Sequence, residues 1–219
     1  MQKIFFTGKF IVLDGPDGCG KSTQAALLRE KLISTGLEVV SYRDPGTTRI
    51  GEAIREILLA TEYAGMGDNV EVLLYMAARA QLWREKISSD LENGKCVIMD
   101  RWLSSTCAYQ GKAGGFGIDK VINIARDSLE RLWPDITIIL DIDSSLAAKR
   151  IRRELDRMEL KGCGYHKMVR QGYLELADKM ENETGDVSAL FKLINADDTP
   201  ESIHSKIVEI LINNLGKGI

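Results

Sequence analysis

Five short apolar runs punctuate the chain, at residues 10–14, 38–43, 95–100, 136–142 and 190–196. Each is rich in Val, Ile or Leu and is bounded by polar or Gly/Pro residues, the pattern of strands buried on both faces. Between them the apolar positions recur with helical spacing, at 21–34, 48–60, 69–92, 118–131, 144–160, 169–180 and 201–215. Thr199 is placed to cap the last of these helices, with Pro200 in its first turn. Repeated strand–helix–strand order predicts an α/β fold: a five-stranded parallel sheet flanked by helices on both faces. No repeat or linker divides the chain, so residues 1–219 are read as a single domain. The stretches 111–117 and 161–164 are read as mobile loops beside a site.

Composition narrows the function classes. Lys and Arg total 29 against 32 Asp and Glu, a net charge of −3. That balance argues against a nucleic-acid coat or an anionic membrane surface as the main partner. No run approaches the roughly 20 apolar residues that span a bilayer, and the first residues lack a secretory layout. Cys19, Cys96, Cys107 and Cys163 form no CxxC pair, so reduced thiols and a cytoplasmic location are expected. Two histidines, His166 and His204, leave little for a Cys/His metal site.

The first strand runs into Gly15-Pro16-Asp17-Gly18-Cys19-Gly20-Lys21-Ser22, followed by Thr23, which fits G-x-x-x-x-G-K-[ST]. Glycines let backbone N–H groups converge on phosphate oxygens, and the loop opens into a helix whose N-terminus favours anions. In this P-loop reading Lys21 reaches the β- and γ-phosphates of ATP and the Ser22 hydroxyl ligates Mg²⁺. Cys19 inside the loop suggests a thiol whose alkylation inhibits. Many activities share such a loop, so the acceptor must be read elsewhere.

Three clusters fall at or after expected strand ends, where open α/β sheets bind ligands. They are Arg43-Asp44-Pro45-Gly46-Thr47, Asp100-Arg101, and Ser104-Ser105-Thr106-Cys107-Ala108-Tyr109-Gln110. The helix between them carries Tyr75 and Arg79 four residues apart, so a ring and a guanidinium share one face. That pair can stack on a base and hydrogen-bond its edge or a phosphate. Taken alone, each cluster also has a plain structural reading. The Tyr75/Arg79 face can be ordinary helix packing, and Arg150, Arg152, Arg153 and Arg157 can be a solvated face.

Taken in order, these segments resemble the thymidylate kinase family. The resemblance rests on Asp17, Arg43-Asp44-Pro45-Gly46, Ala78-Arg79-Ala80-Gln81, Asp100-Arg101 with Ser105 to Gln110, and Pro134-Asp135-Ile136-Thr137. It continues through Leu155-Asp156-Arg157-Met158-Glu159 and Tyr173-Leu174-Glu175-Leu176-Ala177, covering about residues 10 to 180. It implies a three-layer P-loop NTPase fold with a helical lid at about 148–165, a homodimer, and phosphoryl transfer from ATP to dTMP. It further implies that Asp17 lies near the acceptor and metal, and that Tyr75 stacks on thymine. Arg79 would contact the base edge or the acceptor phosphate, Arg101 would bind that phosphate, and Asp100 would sit near Mg²⁺. Thr106 and Gln110 would face the thymine edge, Ser105 would belong to the same substrate site, and Tyr109 would crowd the 2′ position of the sugar. Arg43, Pro45 and Arg55 complete the expected acceptor set; Lys21, Asp17, Arg101 and a lid arginine, Arg153, form the expected catalytic set. The Asp44–Pro45 bond is a candidate for cis. Thr47 stands where the family usually has Gly, Asp44 where it has Glu, and Tyr75 where Phe is common. Another nucleoside or nucleoside monophosphate kinase of the same fold is the alternative, and a slow nucleotide-dependent switch a more distant one.

Overall fold

The computed structural model describes residues 3–152, 154–182 and 189–216. Strand β1, Phe10–Asp14, is the centre of the sheet and is buried throughout. Its side chains alternate: Phe10 and Val12 join one core, Ile11 and Leu13 the other. A strand with helices over both faces needs both, which is why its sequence is continuously apolar. Strands β2 (Val39–Arg43), β3 (Cys96–Asp100), β4 (Ile136–Asp141) and β5 (Phe191–Asn195) complete a parallel sheet in the order β2-β3-β1-β4-β5. All five lie within a residue of the expected ranges.

The connecting helices are α1 (Lys21–Ile33), α2 (Arg49–Leu59), α3 (Asp68–Leu82), α4 (Leu103–Thr106), α5 (Ile118–Ser128), α6 (Ser144–Arg150), α7 (Gly162–Asn182) and α8 (Pro200–Leu215). Helix α3 continues through a wide turn, Trp83–Ile87, into Ser88–Glu92. Helix α4 likewise widens into Cys107–Ala113. Thr48 caps α2 by accepting from Gly51 N, and Thr199 caps α8 by accepting from Ser202 N. Trp102, fully buried, packs edge-on against Phe10 and donates from its indole to Leu132 O at 2.9 Å. Helix α7 crosses the wide turn of α4 closely. A Cβ on Gly172 would stand 2.9 Å from Ala108 Cα and 3.1 Å from Ala108 O.

Two expectations need correction. The helix expected over 144–160 ends at Arg150, and Ile151 is extended. Asp156 Oδ1 accepts from Met158 N and Glu159 N, while Glu159 Oε2 accepts from Asp156 N at 3.0 Å. This is a capping box, which starts a new turn instead of continuing an old one. Arg150 and Arg157 therefore do not share a helix face. The stretch 161–164, expected as a loop, contains the end of a tight turn, Glu159–Lys161, and the start of α7. Part of 111–117 likewise belongs to the wide turn of α4. No helix among the described residues is long and apolar enough to cross a membrane.

Candidate active site

The C-terminal end of β1 delivers the glycine-rich loop, and those of β2 and β3 the three clusters, to the same end of the sheet. Gly15, Gly18 and Gly20 have φ of 141°, 80° and 98°, the left-handed region that only glycine enters cheaply. A side chain on Gly18 would strike the backbone of Ala147. Lys21 Nζ donates to Gly15 O at 3.0 Å and Pro16 O at 2.8 Å. Ser22 Oγ donates to Asp100 Oδ2 at 2.6 Å, so a hydroxyl and a carboxylate stand together at the start of α1. These are hard oxygen donors of the kind that suit a small divalent cation.

The loop lines a cleft of about 940 Å³ with Asp17, Gly18, Cys19, Gly20, Lys21, Ser22 and Thr23. Arg150 and Arg152 reach the same cleft. Arg150 Nη1 donates to Ala196 O at 3.1 Å. Next to it is a smaller cavity of about 80 Å³. Pro45, Arg55, Tyr75, Arg79, Arg101, Ser105, Thr106, Tyr109 and Gln110 all line it. Asp17, Asp44, Arg55 and Arg101 line both spaces and form the wall between them.

That wall is built from paired charges. Arg101 Nη2 pairs with Asp17 Oδ1, and Tyr109 OH donates to Asp17 Oδ2 at 2.6 Å. Burial raises the Asp17 carboxyl, but Arg101, Lys21 and the Tyr109 bond together hold it well below the usual carboxylate range. The Arg101 guanidinium also lies over the Tyr109 ring, 5.2 Å from its centroid. Its backbone has φ 73°, a conformation costing a non-glycine residue on the order of 1–3 kcal/mol. The Arg101 N–H bond to Leu13 O, 3.0 Å, helps to hold it there.

Deeper in the wall, Arg79 is 1% exposed. Its Nε donates to Asp44 Oδ2 at 2.6 Å and its Nη2 to Thr106 Oγ1 at 2.9 Å. Burial pushes the Asp44 carboxyl up against the pull of Arg79. The Asp44–Pro45 peptide is cis, and Arg55 Nη1 donates to Pro45 O at 3.0 Å. Burial and the neighbouring Arg43 lower the Arg55 pKa, and burial raises the Tyr75 phenol.

A family model described as thymidylate kinase matches residues 13–207, most of the chain and all of this site. The chain belongs to the thymidylate kinase family. A thymidylate kinase from Kosmotoga olearia is 40% identical over 215 residues, 96% of this chain and 100% of its own length. One from Caldanaerobacter subterraneus is 41% identical over 203 residues, covering 92% and 94%. One from Clostridium novyi is 38% identical over 186 residues, covering 83% and 91%.

Set beside the thymidylate kinase pattern, one departure acquires a physical account. Thr47, where the family usually has Gly, has φ 71°. Its hydroxyl accepts from Arg43 N and donates to Arg43 O, both at 3.1 Å, which offsets part of the strain. Arg43 does not enter the smaller cavity. It lines the cleft, and its Nη2 donates to both carboxylate oxygens of Glu52, at 3.0 and 2.8 Å. Arg157 is turned inward: Nη1 pairs with Glu71 at 2.5 Å and Nε donates to Leu58 O at 2.7 Å. Arg153 lies outside the described residues. Cys19 is 1% exposed and burial raises its thiol, both of which work against the expected alkylation there. Cys163 is the exposed cysteine.

One residue that sequence reasoning read only as the end of an apolar run proves central. Asp14, fully buried, accepts from Gly15 N at 2.8 Å, Ser105 Oγ at 2.6 Å and Tyr173 OH at 2.7 Å. It also accepts from Ser104 Oγ, and Arg101 Nη1 stands 3.6 Å away. Asp14 thus ties the P-loop, α4 and α7 together. A carboxylate closing a fully apolar strand was the available signal.

Proposed function

We propose that this enzyme transfers the γ-phosphoryl group of ATP to dTMP, giving dTDP and ADP. The observation that carries the reading is the shared wall: a P-loop cleft sized for a nucleoside triphosphate and a smaller cavity meet across Asp17 and Arg101. Phosphoryl transfer needs donor and acceptor oxygens held in line, and a cation between two such spaces serves that geometry.

In this reading Lys21 and the loop's backbone hold the donor phosphates. Ser22 and Asp100 would hold Mg²⁺, which when bound neutralises phosphate charge. Arg101 and Arg55 bind the acceptor phosphate, Tyr75 stacks on the base, and Arg79, Thr106 and Gln110 shape its edge. Tyr109, anchored by Asp17, fills the space beside the sugar. The acceptor oxygen is already anionic near neutral pH, so no general base is required. That point disfavours a nucleoside kinase acting on a hydroxyl. Its carboxylate base would have to be Asp17 or Asp44, and arginines engage both. The segment 148–165 serves as lid within a single kinase domain. Arg150, Arg152 and Arg153 are the candidates to meet transition-state charge, and Arg157 is withdrawn from that role. The reduced cysteines fit a cytoplasmic enzyme.

The test is ADP release from ATP·Mg²⁺ with dTMP, dUMP, dCMP, UMP, thymidine or no acceptor. Turnover highest with dTMP is expected; turnover indifferent to the acceptor overturns the reading. We further read the enzyme as a homodimer. Ile50 and Ile57 of α2, with Val70 and Leu73 of α3, expose an apolar face on two packed helices. Sedimentation should give a dimer, and Leu73→Glu a monomer.

A further inference from the structure

Gln110 lies in the wide turn of α4, is 3% exposed, and lines the smaller cavity. Its Nε2 donates to Glu71 Oε1 at 2.8 Å. Glu71 stands one helical turn before Tyr75 on α3, is 2% exposed, and does not itself line the cavity. Two cations from the far side of the chain also converge on its carboxylate. Arg157 Nη1 lies 2.5 Å from Oε2, and Lys161 Nζ 3.3 Å from Oε1.

A primary amide offers two different ends: its NH₂ group donates and its carbonyl accepts, and the two are nearly equal in shape. A carboxylate can only accept. Glu71 therefore holds the NH₂ end of Gln110 to itself through one of its two N–H groups and turns the Oε1 end away, as the acceptor the side chain can offer the cavity. Among the described residues no protein donor is paired with that oxygen.

We propose that Glu71 is a positioning residue for base selection: it fixes the Gln110 amide so that the site presents an acceptor to the base edge. This rests on the reading that the smaller cavity takes the acceptor base. An acceptor at that point rewards a ring N–H. Thymine and uracil carry one at N3, whereas cytosine carries a lone pair there and is repelled. Arg157 and Lys161 offset the charge of Glu71, so the selector is assembled from α3, α4 and the segment that leads into α7.

Replacing Glu71 by Gln supplies a partner that can donate or accept, and the Gln110 amide becomes free to turn over. The experiment compares kcat/KM for dTMP, dUMP and dCMP in the wild type and Glu71→Gln. The dTMP-to-dCMP ratio is expected to fall roughly 10- to 100-fold, the range associated with one buried hydrogen bond made or mismatched. The dTMP-to-dUMP ratio should hold, because both bases carry the same N3–H. Equal losses on all three acceptors, with both ratios intact, would mean that Glu71 only supports the fold and would overturn the inference. Should Glu71→Gln fail to fold with Arg157 left unpaired, Glu71→Gln/Arg157→Gln removes both charges and carries the same expectation. In a Gln110→Leu background, Glu71→Gln should leave the dTMP-to-dCMP ratio where Gln110→Leu set it; a further fall also overturns the inference. A wild type that ignores dTMP overturns the reading of the site itself, which separates that failure from this one.

Discussion

The P-loop cleft, proposed as the donor side, and the smaller cavity, proposed as the acceptor side, share one wall but are held by different means. On the donor side the shape comes from backbone: left-handed glycines, a helix start, and Lys21 bonded to carbonyls five and six residues away. On the acceptor side it comes from buried side chains that meet across the chain, such as Arg79 with Asp44 and Arg157 with Glu71. A backbone cradle depends on which residues can adopt unusual torsions. A side-chain cradle depends on charges that are costly to leave unpaired. Substitutions should therefore damage the first through rate and the second through stability and selectivity together.

The largest effect should separate the two sides most cleanly. Lys21→Ala should lower kcat by roughly a thousandfold, as expected when one preorganised charge-stabilising donor is lost. Its thermal midpoint should stay near that of the wild type; a large drop would break the contrast. Arg101→Ala should lower kcat/KM for dTMP by about 100-fold. Arg101→Lys should rescue little, because a point charge cannot reach Asp17, Gly15 O and Ser105 together as the planar fork does. Arg79→Met belongs wholly to the acceptor side. Leaving Asp44 buried without its cation should cost about 3 kcal/mol in denaturant unfolding.

Acid should sharpen the comparison further. The Asp17 carboxyl is depressed below its ordinary value of 3.8 in the folded state, so its pairing stabilises the protein above that value and is lost as pH falls below it. The difference in unfolding free energy between wild type and Asp17→Asn should be flat from pH 7 to 5 and shrink below about 3.8. A difference that grows on acidification would reverse the assignment. The smallest effect concerns the left-handed turn after β2. Thr47→Gly relieves φ strain but gives up two hydrogen bonds to Arg43, and should change stability by less than about 1 kcal/mol.

The same contrast explains what could be read from the chain. The sheet and the phosphate loop depend on local pattern: an apolar run, three glycines and a helix start within a dozen residues. Most of the lining of the smaller cavity was also in sight, because Tyr75, Arg79, Arg101, Thr106, Tyr109 and Gln110 sit in recognisable segments and the structure brings them together there. Asp14 and Glu71 were not. Asp14 meets Ser105 across 91 positions and Tyr173 across 159, and Glu71 meets Gln110 across 39. No periodicity carries such pairings. The lid misled for a local reason: Asp156-Arg157-Met158-Glu159 follows helical spacing, yet its acidic residues cap a fresh turn and turn Arg157 inward.

The close crossing at Gly172 sets a limit of another sort on how this chain can change over generations. The obstacle to a larger residue there includes the main chain of Ala108, which no compensating substitution can trim away. Adding even a methyl group means moving α7 bodily, and the next residue, Tyr173, would carry its hydroxyl off Asp14. A drift that looks like neutral helix-surface variation would therefore register as a misaligned Arg101. Position 172 works as a spacer gauge: it transmits helix separation into the chemistry, and its tolerance is set by the width of one missing carbon.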